Sequence, residues 1–297
     1  MANQLRFLDP NILSKISGME LRARTVVEGF ISGLHRSPYR GFSAEFAEYR
    51  EYTPGDDTRF IDWKIYARSD RYYLKQFEEE TNLGCNILLD ISASMKYGSS
   101  GLSKLEYAAY VAASLGYLIF QQRDGVGLMT FDQEIKQHIP ARSQRGHLLS
   151  ILQHLEKLEV GEQTDISLPL HQMAERLKKK GMIILISDLL DDPVSVAQGL
   201  QHFRFKGHDV IVFHIMDDTE LSFPFQNATK FMDLESSTQF VAIPSLIRET
   251  YLKNLNAHLD QFKKECSRLK IDYHVLNTAK PRDFSLFSYL AYRSGKG

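Results

Sequence analysis

Five residues with oxygen-bearing side chains could bind a metal ion together. The run ILLDISASM places Asp90, Ser92 and Ser94 in an Asp-x-Ser-x-Ser triplet after an apolar stretch. Thr164 lies in the polar run GEQTDIS, and Asp188 ends a second apolar run, MIILISD. Carboxylate and hydroxyl oxygens with water suit a hard cation and do not suit zinc, which prefers sulfur and nitrogen. We expect a divalent ion, Mg²⁺ first, with Mn²⁺ or Ca²⁺ as alternatives.

The same residues have a purely structural interpretation. Asp90 and Asp188 could cap helices, and the two serines could be turn residues. The triplet alone supports both interpretations equally. Thr164 and Asp188 occupy matching loop and strand-end positions, which favours the metal site.

The residues around these positions predict alternating strands and helices. Apolar runs predict strands over 86–90, 126–131, 182–187, 210–216 and 272–276. Helices are expected over 107–120, 147–158, 168–179, 194–205, 244–269 and 284–292, and Ser103 with Glu106 has capping-box spacing before the first. This alternation predicts an α/β fold with a mostly parallel sheet between helices, so the strand ends that carry Asp90 and Asp188 meet at one edge.

Two segments depart from that alternation. Residues 230–243 contain two short β-like runs around a polar turn, which predicts an inserted hairpin. Residues 1–83 contain turn residues and aromatic, charge-dense strand-like runs, so we expect an N-terminal, β-containing extension before a domain at 84–297.

An acidic and basic motif lies in that extension. Asp56, Asp57 and Asp62 surround the single tryptophan, Trp63, together with Arg50, Arg59, Lys64 and Arg68. The group could be a catalytic acid cluster or a partner surface. An internal ion-pair network that fixes a turn-rich segment is favoured, because Pro54 and Gly55 precede the first two aspartates.

Charge, cysteine content and hydropathy argue against several classes of protein. The formal net charge of −1 gives no support to nucleic-acid binding. The two cysteines, Cys85 and Cys266, form no disulfide framework, and the N-terminus does not resemble a signal peptide, so a cytoplasmic location is expected. The most apolar run, 107–120, is shorter than the roughly 20 residues that span a bilayer. No transmembrane segment is expected.

Motifs for catalysis are not found in the sequence. It contains no H-E-x-x-H, no P-loop and no G-x-S-x-G. A magnesium-dependent phosphohydrolase is the alternative activity, but Ser92 stands where phosphatases of the haloacid dehalogenase type need a second acid. A metal-independent interaction scaffold is the third possibility. We expect no enzymatic activity.

The five candidate ligands resemble the metal-ion-dependent adhesion site of the von Willebrand factor A superfamily, whose fold is a Rossmann-like sheet flanked by helices. The chain as a whole resembles the bacterial domain of unknown function 58 family, through EFAEYREYTPGDDTRFIDWKIYAR at 45–68 and the runs IDYHVLNT and FSLFSYLAYR. The superfamily resemblance implies a metal that holds an acidic side chain supplied by a protein partner. The family resemblance implies a role beside a MoxR-like AAA+ ATPase in a chaperone-like system.

Overall fold

The computed structural model describes residues 44–53, 61–79, 84–99, 101–121, 123–161, 166–234 and 238–279. Of the described residues, those up to 79 belong to a smaller compact unit and those from 84 onward to a larger one. The predicted division into 1–83 and 84–297 remains a prediction.

The larger unit alternates strands with helices. Its strands are β3 (Gly84–Asp90), β4 (Gly125–Phe131), β5 (Ile135–Arg142), β6 (Gly181–Ser187), β7 (Asp209–Met216), β8 (Thr229–Met232), β9 (Gln239–Ala242) and β10 (Asp272–Asn277). Its helices are α2 (Lys104–Gln121), α3 (Arg145–Glu156), α4 (Ser167–Arg176), α5 (Pro193–Phe205), α6 (Asp218–Ser222) and α7 (Pro244–Arg268), and a 3₁₀ turn spans Ala93–Lys96.

A mostly parallel sheet forms the centre of this unit. Among the described residues its strands follow the order β10-β7-β6-β3-β4-β5, and only β5 runs antiparallel to its neighbour. The predicted α/β fold with a mostly parallel sheet and flanking helices is therefore confirmed. The sequence analysis did not predict β5, because this edge strand reads IKQHIPAR and lacks the apolar run of the buried strands.

Side chains of the central strands are buried alternately on two faces. Ile87 and Leu89 of β3 pack into a cluster with residues of α2 and α3. Leu88 packs into a second cluster with residues of α4, α5 and α7. A strand covered on both faces must be apolar at nearly every position, which explains the continuous run before Asp90.

Five predicted helices and the hairpin are present within a few residues of the expected bounds. The capping box that begins α2 is also present, because Ser103 N donates to Glu106 Oε2 at 3.0 Å and Glu106 N donates to Ser103 Oγ at 3.1 Å. The strands β8 and β9 pair antiparallel as the predicted hairpin. The helix expected over 284–292 lies outside the described residues. In the part of the chain that the structure describes, no helix has the length and apolarity needed to cross a membrane.

The smaller unit contains β1 (Ala44–Glu51), α1 (Trp63–Ser69) and β2 (Tyr73–Glu79). The two strands pair antiparallel, with an irregularity between Phe46 and Glu48. Asp62 is buried just before α1, and its Oδ1 accepts a hydrogen bond from Ile65 N at 3.3 Å. This contact gives Asp62 a helix-capping role. The expected ion-pair network of the motif involves Asp56, Asp57 and Arg59, which lie outside the described residues.

Candidate metal site

The Asp-x-Ser-x-Ser triplet forms a tight turn at the carboxyl end of β3. Ser92 N donates to Asp90 Oδ1 at 2.8 Å, and the Oγ atoms of Ser92 and Ser94 are 3.1 Å apart. Asp90 and Ser92 are fully buried, and Ser94 is 7% exposed. The turn gathers three oxygen-bearing side chains below the surface.

Asp188 lies at the end of the neighbouring strand. It follows β6 directly, β6 pairs with β3, and its side chain is fully buried. Burial raises the pKa of Asp90 to about 7, and the negative charge of Asp188 adds to this effect, while hydrogen bonds from Ser187 and Ser92 oppose it. The structure therefore brings both predicted carboxylates together in a region where a positive charge would stabilise them.

Ser187 is a residue of this site that the sequence analysis missed. Its hydroxyl donates to Asp90 Oδ2 at 2.5 Å and accepts a hydrogen bond from Leu189 N at 2.9 Å. The contacts fix the orientation of the Asp90 carboxylate and the backbone that follows Asp188. A hydroxyl residue at the last position of a predicted apolar strand, one before an aspartate, was the available signal.

Lys104, the first residue of α2, is the second missed residue. Its Nζ lies 2.6 Å from Asp188 Oδ2 and 2.8 Å from Glu220 Oε1, and the side chain is 1% exposed. Burial alone would lower the pKa of Lys104, but the charges of Asp188 and Glu220 outweigh it and raise the pKa above its usual value. The lysine is therefore a fixed buried cation beside the candidate ligands. A lysine at the start of a long apolar helix was its only signal in the sequence.

One carboxylate oxygen at this site has no internal partner. Among the described residues, Asp188 Oδ1 is buried and makes no hydrogen bond, whereas Oδ2 is bound by Lys104. A buried carboxylate oxygen without a partner lowers the stability of the fold unless a cation or a hydrogen-bond donor binds it. The described residues contain no group of three or more His, Cys, Asp and Glu side chains that could hold a metal. The candidate ligands are instead two carboxylates together with hydroxyl groups. Such a set, made of oxygen atoms alone, fits a hard divalent ion.

Thr164 lies outside the described residues, but the chain on both sides of it is bound next to the site. Gly161 N donates to Ile91 O at 2.6 Å, inside the turn of the triplet. Ile166 N donates to Asp191 Oδ2 at 3.0 Å, three residues after Asp188. The residues that flank the expected threonine are thus attached to both halves of the site.

Two further aspartates follow strands at the same edge of the sheet. Asp132 follows β4, is buried, and lies 3.2 Å from Lys136 Nζ. Asp217 follows β7, is also buried, and accepts hydrogen bonds from Ser99, Thr219 and Thr278. Burial alone would raise the pKa of Asp217, but the bonds from Ser99 and Thr219 outweigh it and lower the pKa to about 2. Donors within the protein already bind these two carboxylates. Asp132 and Asp217 therefore stabilise the loops at this edge of the sheet and are not candidate ligands.

Solved structures with a similar fold include BatB from Bacteroides thetaiotaomicron. It has 17% sequence identity and a TM-score of 0.49, and the match covers 72% of this chain and 100% of that one. The SpRpn10 VWA domain has 11% identity and a TM-score of 0.37, over 73% and 96% of the two chains. The proximal thread matrix protein 1 from the mussel byssus, solved with a zinc-occupied MIDAS motif, has 15% identity and a TM-score of 0.40, over 72% and 48%.

A sequence relative and a family model also match the chain. The uncharacterized protein Rv1480 of Mycobacterium tuberculosis is 25% identical over 255 residues, which cover 84% of this chain and 80% of that protein. The model of the family described as protein of unknown function DUF58 matches residues 48–261. This match includes Asp90, Lys104 and Asp188, and it covers most of the chain. The chain therefore belongs to the DUF58 family.

Proposed function

We propose that this chain is a metal-dependent protein-interaction module and not an enzyme. The ion, Mg²⁺ in the first place, would be held by Asp90, Ser92, Ser94, Thr164 and Asp188. It would supply a positive charge with a coordination position for a carboxylate from a protein partner. The observation that carries the proposal is the buried Asp188 Oδ1, which has no hydrogen-bond partner among the described residues and belongs to a carboxylate whose charge raises the pKa of Asp90.

Lys104 supports the preference for a third, external carboxylate. It binds Asp188 Oδ2 and Glu220, so that one of the two ligand carboxylates is already shared with a fixed cation. An ion held by one full and one shared carboxylate keeps net attraction for another negative group. An acidic side chain of a partner meets that requirement.

An exposed apolar surface near the same edge supports a protein as the ligand. The hairpin β8–β9 and the start of α7 expose Phe240, Val241, Ile243 and Leu246 by 56%, 72%, 52% and 76%. The hairpin follows α6, whose Glu220 is bound to Lys104, so this surface continues from the carboxyl edge of the sheet. Several large apolar side chains exposed along one short segment are typical of interaction surfaces.

The resemblance to DUF58 proteins suggests the partner. A MoxR-like AAA+ ATPase, acting in the cytoplasm in a chaperone-like system, would supply the acidic residue. A metal-independent scaffold and a phosphohydrolase are the alternatives that an experiment must separate.

The experiment measures Mg²⁺ binding and partner capture with matched variants. Calorimetry should detect Mg²⁺ binding to the wild type and to Asp209→Ala, since Asp209 pairs with Arg204 at the opposite, amino end of β7. Asp90→Ala should bind at least tenfold more weakly, because it removes a buried carboxylate ligand. Circular dichroism establishes that each variant is folded.

The second arm captures proteins from native lysate with the wild type, with and without a chelator. A partner that is lost with chelator and with folded Asp90→Ala supports the proposal. A partner set unchanged in both conditions contradicts it and favours the scaffold. Release of phosphate from generic phosphomonoesters by the wild type, lost in Asp90→Ala, would favour the phosphohydrolase.

A further inference from the structure

The helices α4 and α5 approach each other closely at Gly199. A Cβ atom on Gly199 would lie 2.8 Å from Leu170 Cβ and 3.1 Å from Leu170 Cδ1. A residue larger than glycine would therefore have to displace Leu170. Ser167 Oγ also donates across the interface to Ser195 O at 3.3 Å. The two helices are therefore held in one fixed arrangement.

This approach brings the Nδ1 atoms of two histidines into contact. His171 follows Leu170 on α4, and His202 lies three residues after Gly199 on α5. Their Nδ1 atoms are 3.4 Å apart, and their rings are tilted by 50° with centroids separated by 5.6 Å. Two imidazole nitrogens bound to one tetrahedral zinc at about 2.0–2.1 Å would be separated by about 3.3–3.4 Å. The observed separation matches that geometry.

A carboxylate orients one of the two rings. Glu175 Oε1 lies 2.9 Å from His202 Nε2, and Glu175 is one helical turn after His171 on α4. Lys206 fixes the other oxygen of Glu175 at 2.9 Å and also donates to Ala174 O at 3.0 Å. When Nε2–H donates to Glu175, the Nδ1 lone pair of His202 points away from the carboxylate and accepts the hydrogen bond from His171 Nδ1–H. A metal bound between the two Nδ1 atoms would replace that proton, which would then be carried by Nε2 of His171. Histidine ligands of metals almost always have such a carboxylate or carbonyl partner on the second nitrogen.

We propose that His171 and His202 bind a borderline transition-metal ion, Zn²⁺ in the first place, through their Nδ1 atoms. Imidazole ligands suit zinc and copper, whereas the oxygen site at the carboxyl edge suits Mg²⁺. The pair fills two of the four tetrahedral positions, and water or a group from a bound molecule fills the others. Glu175 is a positioning residue, since it acts through His202.

The test is a calorimetric titration of the full-length protein with Zn²⁺ in excess Mg²⁺, which saturates the oxygen site. The wild type should bind one Zn²⁺ tightly enough to measure. His171→Gln and His202→Gln should each weaken Zn²⁺ binding at least tenfold, and Glu175→Gln should weaken it by roughly tenfold. His147→Gln is the matched control, because His147 Nε2 donates to Val126 O on another part of the unit.

A second readout identifies the ligands independently of affinity. Co²⁺ in place of Zn²⁺ should give the strong visible absorption of a tetrahedral ion with nitrogen ligands, and this spectrum should be lost in folded His171→Gln. Zn²⁺ binding that is unchanged in both histidine variants overturns the proposal. So does a wild type that binds no Zn²⁺ in excess Mg²⁺, and neither result bears on the Mg²⁺ site.

Discussion

At the scale of single residues, Lys104 determines the charge around the candidate ligands. It is buried between Asp188 and Glu220 and satisfies one oxygen of each. A buried cation of this kind lowers the local negative charge permanently, so the attraction between the site and a divalent ion is smaller than two bare carboxylates would give. The lysine therefore sets both the stability of the edge and the strength of metal binding.

The substitution Lys104→Met separates these two effects. In the absence of divalent ions the variant should be destabilised by about 3–5 kcal/mol, because the buried carboxylates lose their cation. Its affinity for Mg²⁺ should increase by about one order of magnitude or more, because Asp188 is no longer shared. Chemical denaturation and calorimetry measure the two quantities. Lys136→Met, which removes an exposed lysine beside Asp132, is the control. Weaker Mg²⁺ binding in folded Lys104→Met would contradict this role.

Asp217 should make the stability of the folded protein depend on pH. Its pKa is lowered to about 2 in the folded protein by hydrogen bonds from Ser99 and Thr219 that outweigh the effect of burial. A carboxyl group whose folded pKa lies below its unfolded value of about 3.9 adds stability above pH 4 and loses it as the pH falls toward 2. The contribution is about 2 kcal/mol.

Asp217→Asn should therefore be less stable than the wild type at pH 7, and the difference should shrink between pH 4 and pH 2. Urea denaturation at several pH values measures it. Asp218→Asn, one residue further along in α6, is the control, because no comparable set of donors surrounds it among the described contacts. A stability difference independent of pH would contradict the explanation.

At the scale of elements, the hairpin β8–β9 and the start of α7 offer exposed apolar side chains to a partner. Val241 and Leu246 are exposed by 72% and 76%, so replacing them costs little folding free energy. The double substitution Val241→Asp with Leu246→Asp should reduce partner capture at least tenfold without changing Mg²⁺ affinity, because it disrupts only apolar contact. Capture from lysate and calorimetry measure the two effects.

Phe205→Asp provides the matched control for this prediction. Phe205 is 89% exposed at the end of α5, before the amino end of β7, and thus at the edge of the sheet opposite the hairpin. The Phe205→Asp variant should leave partner capture and Mg²⁺ affinity unchanged. Equal loss of capture in the control and in the hairpin variant would indicate a general effect of added charge.

The elements differ in how far their sequence predicts them. The central strands were predicted closely because burial on both faces requires continuous apolar runs, as in MIILIS before Asp188. The strand β5 was missed because each of its positions is partly buried or exposed, so it has no apolar run, and because it contains Pro140. The short helix α6 was missed because its five residues carry no apolar periodicity and are fixed by the Asp217 capping box.

The site shows the same limit. Asp90, Ser92, Ser94 and Asp188 were chosen as candidate ligands because they lie at or just after strand ends, and parallel strands bring their carboxyl ends to one edge. Their binding of a metal stays a prediction. Lys104 and Ser187 were not chosen, because their roles depend on contacts between residues 84 and 97 positions apart in the chain. Local sequence patterns carry no information on such pairs.

At the scale of the whole molecule, metal binding should stabilise the folded chain. An ion that binds only the folded state adds about 2.7 kcal/mol when its concentration is 100 times its dissociation constant. For a chain of 297 residues we expect this stabilisation to raise the melting temperature by about 4 °C. Differential scanning calorimetry with and without Mg²⁺ tests this, and Asp90→Ala should show no shift. An equal shift in that variant would place the ion elsewhere.

The single tryptophan makes the two units optically distinguishable. Trp63 belongs to the smaller unit, is 60% exposed, and packs edge-on against Tyr66, whereas the candidate ligands belong to the larger unit. Emission excited at the red edge of the absorption band thus reports on the smaller unit alone. A change in that emission when Mg²⁺ is added to the larger unit would reveal communication between them, and quenchers in solution would report how a captured partner covers the indole.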